Sequence, residues 1–419
     1  MIADPMIYVR GVHVGATLLA CGTTAFLVLV AEPAATKLRT DFAAVRHKLS
    51  MLIWVALAVT ILSGAAWLVL LESDILGASL ADVCLHGGIW PVLFDTRFGL
   101  VWCARLALAL PLGVLIHWPA TRDWQVAAAA CLTALPALVG HAGATPGPAG
   151  DVHLVSDMVH LLAAAAWLGG LPAFAWLVWQ ARRTKKPAWS DFAIRSTRRF
   201  SVVGVLSVAA LLASGLINSW YLLGDPRDLV STDYGRLVAF KIGLFAAMVG
   251  IATANRFYLM PRLPGAPALR ALQRNSLAET ALGICVLLFV GMLGTLPPAA
   301  HRHAAPRDNP PDAAFVHIHT AEAMADVMIN PGRPGPAQVT IRVTREDFSL
   351  YPAKDVRLAL EPPTRANRPV EQDAVEQPDG SWLVNGTTLA EPGVWMVRVF
   401  VTPERGVLIL LDAPIVVER

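Results

Sequence analysis

Among the residues of this 419-residue chain that can do chemistry, the eleven histidines carry the strongest pattern. His153, Asp157 and His160 follow i, i+4, i+7 spacing, which puts imidazole, carboxylate and imidazole on one helix face. Neutral imidazole beside a carboxylate suits Cu(II) or Zn(II), the carboxylate either ligating or orienting a ligating ring. His13 stands in another apolar segment, and Asn218 near the end of a third supplies an amide that completes a polar pocket. Farther on, His301-Arg302-His303 and His317-Ile318-His319 are two His-x-His pairs. In a strand the two rings of such a pair share a face and form a two-nitrogen chelate. Met324 and Met328 follow, and thioethers, like the thiol of Cys21, favour Cu(I). His86 and His141, in loops or at helix ends, complete the set of candidate metal ligands. The plainer reading is that such histidines hydrogen-bond between helices and that alternating methionines fill a core.

The elements that hold these residues are apolar. Hydrophobic residues make up 55% of the chain and charged ones 16%, with mean hydropathy +0.53. Soluble domains carry about 25% charged residues, so a lipid bilayer is the simplest solvent for this chain. Apolar runs, each near the roughly 20 residues needed to span hydrocarbon, occur at 7–31, 48–71, 98–118, 124–141, 154–179, 201–224, 235–260 and 275–297, the fourth being short. Residues 1–10 lack a basic leader and no A-x-A-like cleavage site follows, so the first run reads as a retained span. Loop charge alternates. Lys37, Arg39, Arg46 and Lys48, then Arg122, then Arg182, Arg183, Lys185, Lys186, Arg195, Arg198 and Arg199, then Arg256, Arg262, Arg270 and Arg274 mark one side. The opposite loops hold only Arg10, Arg97 and Arg227. Basic loops stay cytoplasmic, so both termini are expected on the periplasmic side of an inner membrane.

After Pro297-Pro298 the composition changes. A linker at 299–312 leads to short alternating segments, Phe315–His319, Ala325–Ile329, Gln338–Val343, Val356–Leu360, Trp382–Val384, Trp395–Val401 and Val407–Leu411. Asn330-Pro331-Gly332, Asp379-Gly380 and Glu391-Pro392-Gly393 separate some of them, the pattern of a small all-β sandwich over 313–419. The five cysteines include no CxxC: Cys21, Cys103, Cys131 and Cys285 sit singly in apolar runs and Cys84 in a polar loop. A net charge of +3, without basic runs interleaved with aromatics, gives no sign of a nucleic-acid partner.

The apolar part, 1–298, reads as two related four-helix sets, about 1–141 and 142–298. His13 matches His160, and Gly22 then matches Gly169. Leu49-Ser50 with Ser63-Gly64 matches Phe200-Ser201 with Ser214-Gly215, and Thr96-Arg97-Phe98-Gly99 with Arg105 matches Thr232-Asp233-Tyr234-Gly235 with Lys241. Folds with such pseudo-symmetry place sites between their halves. His13 and His160 fall about 9 Å inside the outer boundary at 1.5 Å rise per residue, a reason to pair them. Arg105 and Lys241 are intramembrane cations that call for partners, and Glu279 is placed to pair with one of them or with Arg274.

Arg199-Phe200-Ser201 through Ser214-Gly215-Leu216-Ile217-Asn218, then Thr232-Asp233-Tyr234-Gly235-Arg236-Leu237 with Lys241, resemble the CopD family of copper-resistance and copper-uptake membrane proteins. Asn255-Arg256, Arg274 with Glu279, Leu296-Pro297-Pro298, His160-Leu161-Leu162 and Trp167-Leu168-Gly169-Gly170 extend the resemblance over most of 150–298; the first half matches more loosely. The C-terminal segment, with Asn330-Pro331-Gly332 and Pro392-Gly393-Val394-Trp395, is similar to small immunoglobulin-like domains of CopC or YtkA type. The amino-terminal histidine that serves copper in CopC-type domains has no clear counterpart, because this domain follows a linker. The resemblance implies copper transfer across the inner membrane, or copper handling at its outer face, in exchange with a periplasmic copper-binding protein.

Three functions follow as expectations. In the first, outer histidines collect copper and pass it to His13 and His160. In the second, His13 and His160 are axial ligands of haem b in an electron-transfer protein. In the third, the helices anchor an assembly or sensing factor. The sequence has no G-x-x-x-x-G-K-[ST] loop and no segment large enough for an aspartyl-phosphate domain, so no ATP-driven pump or other enzyme is expected.

Overall fold

A computed structural model describes residues 4–36, 38, 41–76, 80, 93–94, 97–140, 147–184, 186–296, 299, 310, 312–320, 323–345, 349–363, 370–403 and 408–417. The chain divides into two compact units, Met1–Gly143 with Val152–Ala299 and Ala144–Asp151 with Ala300–Arg419.

In the first unit the apolar runs fold as helices, because lipid offers no partner to a free backbone N–H or C=O. They are α1 (Pro5–Ala25), α2 (Phe42–Leu76), α3 (Arg97–Leu115), α4 (Arg122–Ala134), α5 (Gly147–Ala164), α6 (Leu171–Thr184), α7 (Pro187–Leu223), α8 (Asp233–Ala254) and α9 (Ala266–Leu293). Wide π turns extend α1 through Phe26–Ala31 and join α5 to α6 through Ala165–Gly169. Among the described residues, seven spans are long and apolar enough to cross a membrane, α5 and α6 forming one of them. The fourth apolar run is the shortest: α4 has 13 residues and continues as the 3₁₀ turn Leu135–Val139, about 30 Å of helix together, packed against α1 and α3.

Local signals set several helix ends. Asp4 accepts the Met6 amide at 2.8 Å and Pro5 occupies the first turn of α1, while Thr232 accepts the Gly235 amide at 2.9 Å at the start of α8. Gly224, with φ +77°, ends α7. Leu62, Leu206, Leu216, Trp220 and Phe240 project outward as an apolar surface suited to acyl chains.

α1 lies against α2, α4, α9 and the α5–α6 junction, and glycine makes that density possible. A Cβ on Gly22 would lie 2.1 Å from the Ala165 carbonyl oxygen, and one on Gly169 would lie 1.8 Å from that of Leu18. The two glycines, matched in sequence, touch each other at this crossing. At the α1–α9 contact a Cβ on Gly291 would lie 2.3 Å from the Ile7 carbonyl oxygen. Close backbone approach through small residues is how membrane helices gain packing energy when hydrocarbon surrounds them on all sides.

The second unit is a pair of antiparallel sheets, with strand orders β1-β2-β3-β7-β6 and β5-β4-β8-β9. The strands are β1 (Ala314–His319), β2 (Met324–Asn330), β3 (Gly335–Thr344), β4 (Ala353–Glu361), β5 (Val370–Asp373), β6 (Val375–Glu376), β7 (Trp382–Leu389), β8 (Gly393–Pro403) and β9 (Ile409–Val417). Alternate residues such as Val327, Ile329, Val339, Ile341, Leu358, Val397 and Val399 form a common core around Trp395. Each expected segment falls on a strand, except that in the last Leu408 precedes β9 and Val407 lies outside the described residues. β5 and β6 escape sequence reasoning because they are short and mostly polar, and pairing to β4 and β7 creates them.

Gly169→Ala is expected to lower the melting temperature of the detergent-solubilised protein sharply, since overpacking at a backbone contact costs at least about 1–3 kcal/mol. The same change at Gly243, which has no neighbour within 4 Å, is expected to leave it unchanged.

Candidate functional site

α5 and α7 meet rung by rung. The His153 ring stacks on Tyr221 at 4.6 Å between centroids, Asp157 accepts from the Asn218 amide at 3.1 Å, and His160 Nδ1 lies 3.0 Å from Ser214 Oγ. The shared face expected from spacing therefore points at α7. Ser214 Oγ donates its one proton to the Ala210 carbonyl at 2.6 Å, so toward His160 it can only accept. His160 is thus the Nδ1–H tautomer with a lone pair on Nε2, and no described residue hydrogen-bonds that atom.

α1 and α2 build the same pair. His13 Nδ1 lies 3.1 Å from Ser63 Oγ, which donates to the Val59 carbonyl at 2.6 Å. The glycine after Ser63 makes room for its neighbours, since a Cβ on Gly64 would lie 2.5 Å from Trp102 Nε1 and 3.1 Å from His13 Cε1, whereas one on Gly215 would make ordinary contact with His160 Cε1 at 3.8 Å. In both matched Ser-Gly dipeptides it is the serine that holds the imidazole.

One rung farther the halves differ. Asp157 and Asn218 have as counterparts Arg10 and Trp67, where the guanidinium sits over the indole, 5.0 Å from its centroid, and Arg10 also donates to the Gly294 carbonyl. Arg105 Nη1 donates to His13 Nε2 and Arg105 Nη2 donates to Thr17 Oγ1 at 2.7 Å. Arginine has no acceptor, so it occupies the lone pair that a metal or a haem iron would need at His13. Lys241, the counterpart of Arg105, interacts electrostatically with both Asp157 and His160 but hydrogen-bonds neither. Cys21, buried on the His13–Thr17 face of α1, lies within electrostatic range of Arg105. Among the described residues Glu279 pairs with no cation; it accepts from Asn255 Nδ2 at 2.7 Å, and Asn255 Oδ1 accepts from Asn275 at 2.8 Å.

In the sandwich, His317 Nδ1 meets Asp326 Oδ1 across the β1–β2 pair. Register sets His319 opposite Met324 and Phe315 opposite Met328. Met324 is buried and Met328 half-buried, on the sheet face opposite Val327 and Ile329. The side chain of His319, and His86, His141, His301 and His303 altogether, lie outside the described residues. Among the described residues no three His, Cys, Asp or Glu side chains converge as a metal cage requires. Sequence reasoning overlooked Thr17, Trp67 and Tyr221. Thr17 was legible, at i+4 from His13; the aromatic partners were not, because each comes from another helix.

Residues 194–293 match the family model described as Copper resistance protein D, and residues 1–151 match that described as Copper resistance protein D-like, N-terminal domain. The chain is 32% identical over 249 residues to the Inner membrane protein YebZ of Escherichia coli (strain K12), an alignment covering 58% of this chain and 82% of that protein. The chain belongs to the CopD family. Identity to the Copper transport protein CutJ of Bacillus subtilis (strain 168) is 27% over 288 residues, 65% of this chain but only 48% of that longer protein. Identity to Copper resistance protein D of Pseudomonas syringae pv. tomato is 29% over 221 residues, 49% of this chain and 70% of that protein. Both matched segments of this CopD-family chain hold residues of the candidate site, His13, Ser63 and Arg105 in one, Ser214, Asn218 and Lys241 in the other.

Replacing Ser63 or Ser214 by Ala leaves a buried imidazole N–H without its acceptor, at a cost of about 1–3 kcal/mol. Each variant is expected to melt several degrees below wild type in detergent, with Ser63→Thr and Ser214→Thr, which keep the acceptor, falling between.

Proposed function

We propose that this CopD-family chain handles copper as cargo at, and carries it through, the inner membrane, with His13 and His160 as its intramembrane ligands. The observation that supports this most is the twice-built pair of an intramembrane imidazole held by a serine hydroxyl through Nδ1, which reserves Nε2 for another partner. Printed names among its relatives, a copper transport protein and a copper resistance protein, agree with that chemistry. A cargo site needs fewer ligands than a storage site, since an ion that must leave cannot be held in a closed cage. The contact between matched glycines Gly22 and Gly169 suits a two-fold axis between related halves, 1–141 and 142–298.

In this reading both termini are periplasmic, and the 313–419 sandwich collects copper from a periplasmic copper-binding protein through His317 and His319, with Met324 and Met328 as soft ligands. His301, His303, His86, His141 and His153 are the further candidate ligands of this reading. Past His160, a groove of about 450 Å³ follows α7 from Leu212 down to Ser201, Asn255, Arg256 and Glu279, and offers a way toward the cytoplasm.

Cells carrying His13→Ala/His160→Ala are expected to accumulate less copper than wild type, and the purified double variant is expected to retain less bound copper. Unchanged values in both measurements would sink the proposal. A Soret band in the purified wild-type protein would replace copper by haem b. Deleting 299–419 is expected to reduce copper accumulation without abolishing it, whereas an anchor for an assembly or sensing factor would lose all function.

A further inference from the structure

The two histidines are built alike through Nδ1 and unlike through Nε2. His160 keeps its Nε2 lone pair, while that of His13 accepts from Arg105. The difference follows from two positions on each first helix, Arg10 against Asp157 and Thr17 against Ala164. In the second half Asp157, a rung from His160, gives Lys241 an opposite charge to attend to. In the first half that position is Arg10, already engaged with Trp67 and the Gly294 carbonyl. With no carboxylate there, the Arg105 guanidinium turns to neutral acceptors, and the two it finds are His13 Nε2 and Thr17 Oγ1. Thr17 is held in turn, its hydroxyl donating to the His13 carbonyl at 2.8 Å, so the clamp is anchored at both ends.

We propose that Arg105 is a resident cation that closes His13 to copper, so that His160 is the open receiving ligand and His13 a gated one. The inference rests on the copper reading above. A cation cannot ligate Nε2 while a guanidinium donates to it, and the two charges repel at a few ångströms in a medium of low dielectric. His13 therefore binds copper only when Arg105 swings off the ring, keeping its second hydrogen bond to Thr17. No proton changes hands in that exchange: His13 stays the Nδ1–H tautomer on Ser63 throughout. The two sites load in order, His160 first, and the movement of Arg105 is the step that joins the halves.

The test is competitive Cu(I) titration of the purified full-length protein against a Cu(I) chelator. His13→Ala, which leaves His160, is expected to match wild type at the tighter site, and His160→Ala, which leaves the gated histidine, to bind about tenfold more weakly or worse. Adding Arg105→Gln to His160→Ala is expected to restore about tenfold, and adding His13→Ala as well to abolish that gain. Equal affinity in His13→Ala and His160→Ala would overturn the gate even if every Arg105 variant failed to fold. So would a folded Arg105→Gln/His160→Ala protein that binds no better than His160→Ala. Wild type that binds no Cu(I) at all would instead overturn the copper reading, and the gate with it.

Discussion

The contact between Gly22 and Gly169 is the constraint on which the rest of the membrane unit depends. The backbones of α1 and the α5–α6 junction cross there with no side chain between them. Lipid tails give helices no hydrophobic reason to associate, so such a contact is where packing must supply the energy. It also sets register. His13 and His160 each precede their glycine by nine residues, about 13 Å along a helix axis, so the crossing places both imidazoles level.

From that register the polar interior follows. A residue nine places before the crossing meets the partner helix at Ser63 or Ser214, whose hydroxyls are tied to carbonyls one turn back and so present only lone pairs. Thr24, Thr60, Thr133, Thr197 and Ser276 satisfy themselves against the same i−4 carbonyls, which lets a largely apolar chain bury hydroxyls in a region without water. The histidines are the exception: they accept help from a neighbouring helix at one nitrogen and leave the other to be decided by what stands beside it. A carboxylate and a lysine stand near one and an arginine bonds the other, and that difference separates two sites that match at their histidine and serine.

The sandwich unit obeys a simpler rule. Alternation, strict in β8 and nearly so in β2 and β3, puts one face of each sheet into a shared core, and register brings His317 and Asp326 together on the other. Strand period puts Met324 and Met328 on the face opposite Val327 and Ile329, where Met324 is nevertheless buried.

How much of this was readable from the chain depends on the range of the interaction involved. Hydrophobic length, loop charge and period are local, and they were enough to distinguish a helical membrane bundle from the strand-rich sandwich that follows it. The matched spacing of His, Gly and Ser-Gly was likewise visible without coordinates. The fourth apolar run shows the limit of local reading: its composition gives a helix, but not that the helix tightens after 13 residues into a 3₁₀ turn containing Pro136. The chemical state of each histidine was also beyond reach, because a ring's free nitrogen depends on residues 50 to 92 positions away along the chain. Sequence by itself determined that two imidazoles lie in apolar helices at matched positions. Only the tertiary structure decided that Arg105 bonds one of them and that Lys241 leaves the other free, since a buried guanidinium takes the nearest acceptor the fold presents.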